Sequence, residues 1–372
     1  MRCITSRNLP IGSSRVSERS PRLLDKPSIP PRKPENRKQR WGIVVAWLFA
    51  NFTRVTPIRV GYLLSDRVGD LLYWRTRVYR LSVIDNLRHV YRGQISEMAL
   101  RRQARRVFRT SARNFWDLGR LPHMAPEEFS RIVRLPEHDW SLIESIRDER
   151  TGGIILTGHF GAFDFASQTL FTRGYNPYVL TAPTVGEFVY AAVSWLRRGQ
   201  DAPLEDVSPA AIRRMMRVLR GGGFVGLVAD RDFADSGQLV ELFDELTTLP
   251  VGAVRLSRAT GAPIIPVFAV RDDATGRAQR YAFFISDPFT VERTADEEAD
   301  VAVGLRKMAA VLERYIAMFP EQWVMFHRVW PEGARRRRLI DTIREATAER
   351  LASATGPDDQ PVSVAGPAED QR

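Results

Sequence analysis

The chain is almost devoid of cysteine, since Cys3 is the only one among its 372 residues. A single thiol excludes an internal disulfide and a cysteine-based metal cluster, and it is compatible with a reducing, cytoplasmic setting. Long apolar runs are missing as well. The most apolar stretch, Trp41 to Phe52, has 12 residues, whereas a helix that crosses a bilayer needs roughly 20. We therefore expect this stretch not to span a membrane.

The two ends of the chain lack the apolar content of a folded domain. Residues 1–40 contain no uninterrupted apolar segment of the secretory type, and their proline, serine and arginine content is typical of a flexible basic arm. Residues 336–372 begin with the end of a helix and continue into a segment with almost no large apolar side chain. We expect a disordered tail there.

Positive charge is concentrated in one part of the sequence. The formal net charge is +11, but residues 1–120 contain 26 Lys and Arg against 8 Asp and Glu, an excess of 18, which leaves a net charge of −7 for the remainder. A polycation confined to one end indicates an anionic surface as partner, either phospholipid headgroups or nucleic acid.

Residues 41–120 are predicted to form amphipathic helices at a membrane surface. Trp41 and Trp47 are of the type that settles at headgroup depth, so the first helix is expected in the interface, with a buried core helix as the alternative. A second helix is indicated between Arg59 and Trp74 by apolar residues at helical spacing. A third, at about 96–118, carries arginines that form either a solvated face or a contact with lipid phosphates. These arginines are Arg101, Arg102, Arg105, Arg106, Arg109 and Arg113.

From Gly152 onward, short apolar runs alternate with helical stretches inside a predicted catalytic domain, 121–335. Strands are predicted at 153–157, 177–181, 224–228, 263–270 and 281–286, and helices at 162–173, 186–197, 208–220, 251–259 and 298–318. Such alternation predicts an α/β fold, a layered αβα sandwich around a mostly parallel sheet.

His159 is the residue whose position points to chemistry. It follows the predicted strand 153–157 directly, and parallel sheets place their ligands at the carboxyl ends of strands. Asp164 falls in the first turn of the next helix, where it either fixes one ring nitrogen of His159 or only caps the helix. In the first case the other ring nitrogen can take a proton from a hydroxyl.

The spacing of His159 and Asp164 is not specific by itself. His123 with Glu128 and His327 with Glu332 have the same spacing, so three of the five histidines match it. Only His159 follows a buried strand and is flanked by glycines, Gly158 and Gly161, which let a substrate approach the backbone.

The segment "GGIILTGHFGAFD" resembles the H-x4-D/E block of the lysophospholipid acyltransferase superfamily, in the branch with lipid A biosynthesis and phosphatidylinositol mannoside acyltransferases. Three further segments are similar to the same branch in order and distance: "GGGFVGLVADRDFADSG", "LPVGAVRLSRATGAPIIPVF" and "PEQWVMFHRVWP". The resemblance covers about residues 55–335.

This resemblance implies acyl transfer from a thioester to a lipid or glycolipid hydroxyl, with His159 as base and Asp164 as its orienting partner. The acyl thioester, acyl-CoA or acyl-ACP, is then a co-substrate, and neither a cofactor nor a metal is expected. An acceptor site is expected beside His159, on the cytoplasmic face of the plasma membrane. Its expected members are Gly158, Phe160, Gly161, Asp230, Arg231, Asp232 and, more weakly, Glu241.

Two other functions are compatible with parts of the sequence. A nucleic-acid-binding protein would suit the sequence pI of about 10.2, but the basic excess ends near residue 120 and no nucleic-acid motif accompanies it, so no nucleic acid is expected as partner. A lipid-binding relative without activity would keep the fold. The intact pair of His159 and Asp164 argues against that second alternative.

Overall fold

The structure is a computed structural model that describes residues 36–134, 137–181, 186–198, 204–232, 237–272 and 281–330, with single positions up to 345. Its helices are α1 Arg37–Val55, α2 Ile58–Arg75, α3 Arg77–Tyr91, α4 Glu97–Arg120, α5 Pro126–Ile132, α6 Glu137–Asp148, α7 Phe163–Thr172, α8 Glu187–Arg198, α9 Pro209–Arg220, α10 Gly252–Thr260 and α11 Glu297–Met318. Its strands are β1 Val133–Arg134, β2 Gly153–Thr157, β3 Tyr178–Thr181, β4 Leu204–Asp206, β5 Phe224–Val228, β6 Gln238–Leu242, β7 Glu245–Leu249, β8 Ile264–Arg271 and β9 Tyr281–Ile285. Nearly all of the predicted arm and tail lies outside the described residues.

Seven strands form one sheet in the order β1-β9-β8-β2-β5-β3-β4. Strands β8, β2, β5, β3 and β4 are mutually parallel, whereas β9 runs antiparallel to β8, and β1 pairs parallel with β9. All eight residues of β8 and four of five in β2 are buried, which is expected of parallel strands covered on both faces. The predicted mostly parallel α/β fold is therefore confirmed.

Side chains of the central strands alternate between two cores. Ile154 and Leu156 of β2 pack with α9, α10 and α11 on one face of the sheet. Ile155, between them, belongs to the core on the other face, with residues of α6, α7 and α8. Because successive side chains of a strand point to opposite faces, one apolar run serves both cores. The result is the predicted three-layer sandwich.

The five predicted strands and five predicted helices of the catalytic domain all exist, within two residues of the predicted bounds. Several elements were not predicted: α3, α5, α6, β1, β4 and the separate two-stranded β6–β7 hairpin. The hairpin turns at Phe243 and Asp244, which both have positive φ. Neither is glycine, so the usual sequence signal for such a turn is missing.

Helices α1 and α2 turn small residues inward and large apolar residues outward. The buried residues are Gly42, Ala46, Ala50 and Thr53 in α1, and Gly61, Ser65, Gly69, Asp70 and Tyr73 in α2. The exposed apolar residues form what we call the outer apolar face: Trp41, Val44, Val45, Trp47, Leu48, Phe52, Val55, Val60, Leu63, Leu64, Val68, Leu71, Leu72 and Trp74. Helix α1 thus carries large apolar side chains on an exposed face, and its location in a membrane interface stays a prediction.

Close packing explains the small residues of α2. A Cβ on Gly61 would lie 2.1 Å from the Trp116 ring, and one on Gly69 would lie 2.7 Å from the Cα of Arg109. The helix therefore lies directly on α4, and its bulky residues are left on the opposite side. No helix among the described residues is long and apolar enough to cross a membrane.

The arginines of α4 are largely engaged within the protein. Arg105 and Arg109 each make two hydrogen bonds to the carboxylate of Asp70, and Arg113 makes two to Asp66. Arg101 pairs with Glu97. Four of the six arginines, for which a solvated face and a contact with lipid phosphates were the alternatives, thus have acidic partners in the protein.

Candidate active site

The strand register places His159 and Asp230 side by side. Strands β2 and β5 pair in parallel with Thr157 opposite Val228, so His159 and Asp230 both follow two residues beyond a matched pair. The carboxyl ends of parallel strands meet at one edge of the sheet. Two side chains 71 positions apart in the sequence therefore meet there.

His159 and Asp230 are joined by two hydrogen bonds. The ring Nδ1 lies 2.8 Å from Asp230 Oδ1, and the backbone N–H of His159 donates to Asp230 Oδ2 at 2.8 Å. Trp323 Nε1 also donates to Oδ2, at 2.9 Å. Asp230 is 2% exposed, and the ring of His159 is 25% exposed. The carboxylate is thus buried behind a histidine that reaches the surface.

The setting of Asp230 favours its ionised form. Burial alone would raise its pKa, but the charge of His159 and hydrogen bonds from His159 and Trp323 outweigh burial, and its pKa lies below the ordinary value. An ionised carboxylate only accepts hydrogen bonds, so Nδ1 of His159 must carry a proton. In the neutral ring the lone pair is then on Nε2, the arrangement required of a general base.

The contacts described for Asp164 lead to α8. Its Oδ1 lies 2.7 Å from Arg197 Nε, and Arg197 Nη2 donates to Oδ2 at 3.0 Å. Asp164 lies in the first turn of α7, as expected, and its neighbour Phe163 makes an edge-on contact with the His159 ring. At Nδ1 the orienting partner is Asp230. A role for Asp164 in orienting His159 stays a prediction.

The two flanking glycines make room for the protein itself. A Cβ on Gly158 would lie 3.0 Å from Asp230 Oδ2, and one on Gly161 would lie 1.8 Å from the carbonyl oxygen of Ala269. Gly161 also has a φ of +53°, which favours glycine. Close approach of the chain thus explains both glycines, and their contact with substrate stays a prediction.

The loop that carries His159 is fixed by the segment around Trp323. Val324 N donates to His159 O at 2.8 Å, and Gly161 N donates to Gln322 O at 2.8 Å. Phe160 is 1% exposed and packs edge-on against Phe268 in the core. The structure therefore places Phe160 as an internal anchor of this loop, and a contact of Phe160 with the acceptor stays a prediction.

Arg231 and His327 lie near the pair of His159 and Asp230, and Tyr79 contacts His327. Burial lowers the pKa of Arg231, against the nearby charge of Asp230. Partial removal from water, then the positive charges of Arg231 and His159, lower the pKa of His327. Tyr79 makes an edge-on ring contact with His327. Arg231 therefore brings a positive charge close to the site, whereas the lowered pKa of His327 favours its neutral form.

The two remaining acidic residues of the predicted acceptor site are Asp232, which follows β5, and Glu241, which lies on β6. Asp232 Oδ2 accepts from Gly237 N at 2.9 Å, directly before β6. Glu241 is exposed on β6, and among the contacts described none joins it to His159. Trp323 was missed as a partner of Asp230, although it stands in the quoted segment "PEQWVMFHRVWP". The indole N–H of Trp323 is a hydrogen-bond donor that usually finds a partner when it is buried, and this could have indicated a bond to a nearby carboxylate.

A histidine paired with a buried carboxylate at the carboxyl edge of a parallel sheet is an arrangement typical of α/β enzymes. The chain belongs to the family of bacterial lipid A biosynthesis acyltransferases, which it matches over residues 29–332.

Three relatives are each called phosphatidylinositol mannoside acyltransferase. The chain is 24% identical to the one from Mycolicibacterium smegmatis (strain ATCC 700084 / mc(2)155) over 52% of this chain and 60% of the relative. It is 24% identical to that of Mycobacterium tuberculosis strain CDC 1551 / Oshkosh, over 58% and 66%, and 25% identical to that of strain ATCC 25618 / H37Rv, over 48% and 54%. The matches thus span less than two thirds of each relative.

Proposed function

We propose that this protein is an acyltransferase that moves a fatty acyl group from an acyl thioester, acyl-CoA or acyl-ACP, to a hydroxyl of a lipid or glycolipid acceptor. The observation that carries the proposal is the His159–Asp230 pair, in a chain that belongs to this family. The names of the three relatives favour a glycolipid built on phosphatidylinositol as acceptor.

In the proposed reaction, Nε2 of His159 takes the proton of the acceptor hydroxyl while that oxygen attacks the thioester carbonyl. The tetrahedral intermediate collapses, the carbon–sulfur bond breaks, and the departing thiolate takes the proton from His159. Ester and free thiol are the products. A positioned base of this kind contributes roughly 10²–10⁴ in rate. Asp230 holds the ring and stabilises the transient imidazolium. Because the acceptor oxygen attacks the thioester directly, no acyl-enzyme forms.

The guanidinium of Arg231 beside the site suits an acceptor with a phosphate, and a neutral His327 ring can still donate one hydrogen bond. Arg231 directly follows Asp230, and His327 lies near both Arg231 and His159. A guanidinium binds phosphate oxygens with two parallel hydrogen bonds. We assign Arg231 and His327 to the acceptor headgroup. Gly158, Gly161, Asp164, Asp232 and Glu241 stay proposed members of the surrounding site.

The outer apolar face supports attachment to the surface of a bilayer. Trp41, Trp47 and Trp74 are each more than half exposed, and tryptophan favours the headgroup region. An exposed apolar surface of this extent on two neighbouring helices is typical of a membrane or protein contact. The basic residues of 1–120 would favour the anionic cytoplasmic leaflet. The protein would then lie on the inner membrane without spanning it.

The test is transfer by purified protein on anionic vesicles that contain phosphatidylinositol mannoside. Acyl-CoA and acyl-ACP are supplied in separate reactions, with and without chelator, and free thiol and acylated acceptor are measured together. Equal amounts of thiol and new ester, unaffected by chelator, would support the proposal. Binding of the acceptor without any transfer would favour the non-catalytic, lipid-binding alternative. A trapped acyl group on a side chain would overturn the direct mechanism.

A further inference from the structure

A polar cluster is buried between the helices of residues 41–120 and the sheet. We call it the interlayer cluster; its members are Tyr62 of α2, Asn114 and Asp117 of α4, Arg271 of β8 and Tyr281 of β9. The side chains of Arg271 and Asp117 are 4% and 1% exposed. Arg271 Nη2 donates to Asp117 and, at 2.8 Å, to Asn114 Oδ1, while Nη1 donates to Tyr62 Oη at 2.8 Å.

Stability alone does not account for such a cluster. Burying an ion pair costs desolvation, and well-packed apolar residues in its place are often equally stabilising. The hydrogen bonds of the cluster do, however, fix the orientation of the side chains that they join. The question is therefore which part of the molecule the interlayer cluster orients.

The interlayer cluster reaches the loop of His159 through Asn114. The amide Nδ2 of Asn114 donates to the carbonyl oxygen of Gly161 at 2.5 Å. Arg271 holds the other end of the same amide, at Oδ1, so the amide cannot flip without losing both bonds. Gly161 lies two residues beyond His159 and packs directly on the Ala269 carbonyl of β8.

A second route leads to the same glycine from the other side. Arg271 N donates to Gln322 Oε1 at 2.8 Å, and Gln322 Nε2 donates back to Arg271 O at 2.9 Å. The backbone carbonyl of Gln322 accepts from Gly161 N. The backbone N–H and the carbonyl oxygen of Gly161 are thus hydrogen-bonded to Gln322 and Asn114, and Arg271 is hydrogen-bonded to both of these residues.

We propose that Asn114 is a positioning residue for the reaction: it sets the loop between His159 and α7 through Gly161, with its own amide oriented by Arg271. The proposal rests on the proposed function, since it concerns the same base. It makes the helix α4 part of the catalytic unit. A purely anchoring role of residues 41–120 would require no such contact.

The decisive variant is Asn114→Asp in the full-length protein. Aspartate has the same size and still accepts from Arg271, but its second carboxylate oxygen faces the carbonyl oxygen of Gly161, to which the asparagine amide donates. Asn114→Ala serves if the aspartate variant does not fold. Thr247→Val is the matched control: Thr247 is buried and donates to the Val329 carbonyl at 2.6 Å, and none of the contacts described joins Thr247 to the loop. It removes a comparable bond without touching the loop.

Two readouts are compared, kcat and the NMR signals of His159. If the melting temperatures of the variants differ, kcat is corrected for the fraction of folded protein. With a water-soluble, short-chain thioester and acceptor, kcat of the Asn114 variants should fall by about tenfold to a hundredfold, with KM for both substrates within twofold. NMR spectra of ¹⁵N-histidine-labelled protein should show shifted His159 signals. Thr247→Val should leave both readouts at wild-type values.

The proposal is overturned if both Asn114 variants keep the wild-type kcat and the wild-type His159 signals. It is also overturned if Thr247→Val lowers kcat as far as they do, because the effect would then report general stability. A wild-type protein without transfer activity, in which the Asn114 variants still shift the His159 signals, would contradict the proposed function while supporting the positioning role.

Discussion

Asp230→Asn is the substitution with the most specific expected consequence. The asparagine amide must present one oxygen and one NH₂ group to three donors. Oδ2 of Asp230 accepts from two N–H groups, those of His159 N and Trp323 Nε1, whereas Oδ1 has the His159 ring as its partner among the contacts described. The amide oxygen should therefore occupy the Oδ2 position, and the NH₂ group should face Nδ1.

An NH₂ group facing Nδ1 reverses the tautomer of His159. Nδ1 must then accept, so the ring proton moves to Nε2 and the base loses the lone pair that it needs. Where an aspartate-to-asparagine change locks a catalytic histidine in the wrong tautomer, turnover falls on the order of 10⁴-fold, equivalent to about 5.5 kcal/mol in the barrier. We expect a loss of this order here, measured as thiol release in the presence of the lipid acceptor.

Asp164→Asn in the same assay separates the two carboxylates. Since Asp230 holds Nδ1 and Asp164 has Arg197 as its described partner, Asp164→Asn should lower turnover less than Asp230→Asn. Circular dichroism confirms that both variants are folded. Asp230→Asn within tenfold of wild type, together with a larger loss for Asp164→Asn, would refute the reasoning and make Asp164 the orienting residue.

Three further outcomes are expected. Leu64→Glu on the outer apolar face should weaken flotation with anionic vesicles several-fold, whereas Val303→Glu, equally exposed on α11, should not; equal effects would deny that face a role. Arg231→Gln should raise KM for a phosphate-bearing acceptor more than it lowers kcat, and the opposite pattern would exclude headgroup binding. Asp70→Asn should lower the melting temperature at pH 7, because hydrogen bonds from Arg109 and Arg105 hold the pKa of Asp70 well below its usual range. That contribution is present above about pH 4 and is lost as the pH falls toward the lowered pKa, so wild type and variant should converge in acid; a constant difference would contradict the assignment.

The sequence predicts the sheet well because its central strands are buried on both faces. Continuous apolar runs such as "GIILT" and "PIIPVFAV" are typical of parallel strands that are covered on both faces. The position of His159 at a strand end followed directly from this. Short or polar elements such as β4 and the β6–β7 hairpin have no such signal, since their pairing depends on partners elsewhere in the fold.

The partner of His159 at Nδ1 could not be derived from local spacing. Asp164 stands five residues away and is visible in the sequence, whereas Asp230 is brought to the ring by the register of β2 against β5. Strand order and register are tertiary properties. Asp230 was expected in the acceptor site because it ends a neighbouring strand, so its location was predicted but its pairing with His159 was not.

Helical periodicity also fails to show which side of a helix faces the protein. The apolar residues of α2 recur with the expected spacing, and an ordinary surface helix would bury them. The structure buries Gly61, Ser65 and Gly69 against α4 instead and exposes Leu64 and Leu71. Only the packing partner decides this, and the arginine pairs with Asp70 and Asp66 were hidden for the same reason.

The most direct test of the whole account is acyl transfer by His159→Ala beside His123→Ala. His123 is an exposed histidine with an acidic residue at the same spacing, Glu128, but it lies outside the site. We predict that folded His159→Ala forms no acylated acceptor above the uncatalysed rate, while His123→Ala transfers at the wild-type rate. Undiminished ester formation by folded His159→Ala would contradict the assignment of this histidine as the catalytic base.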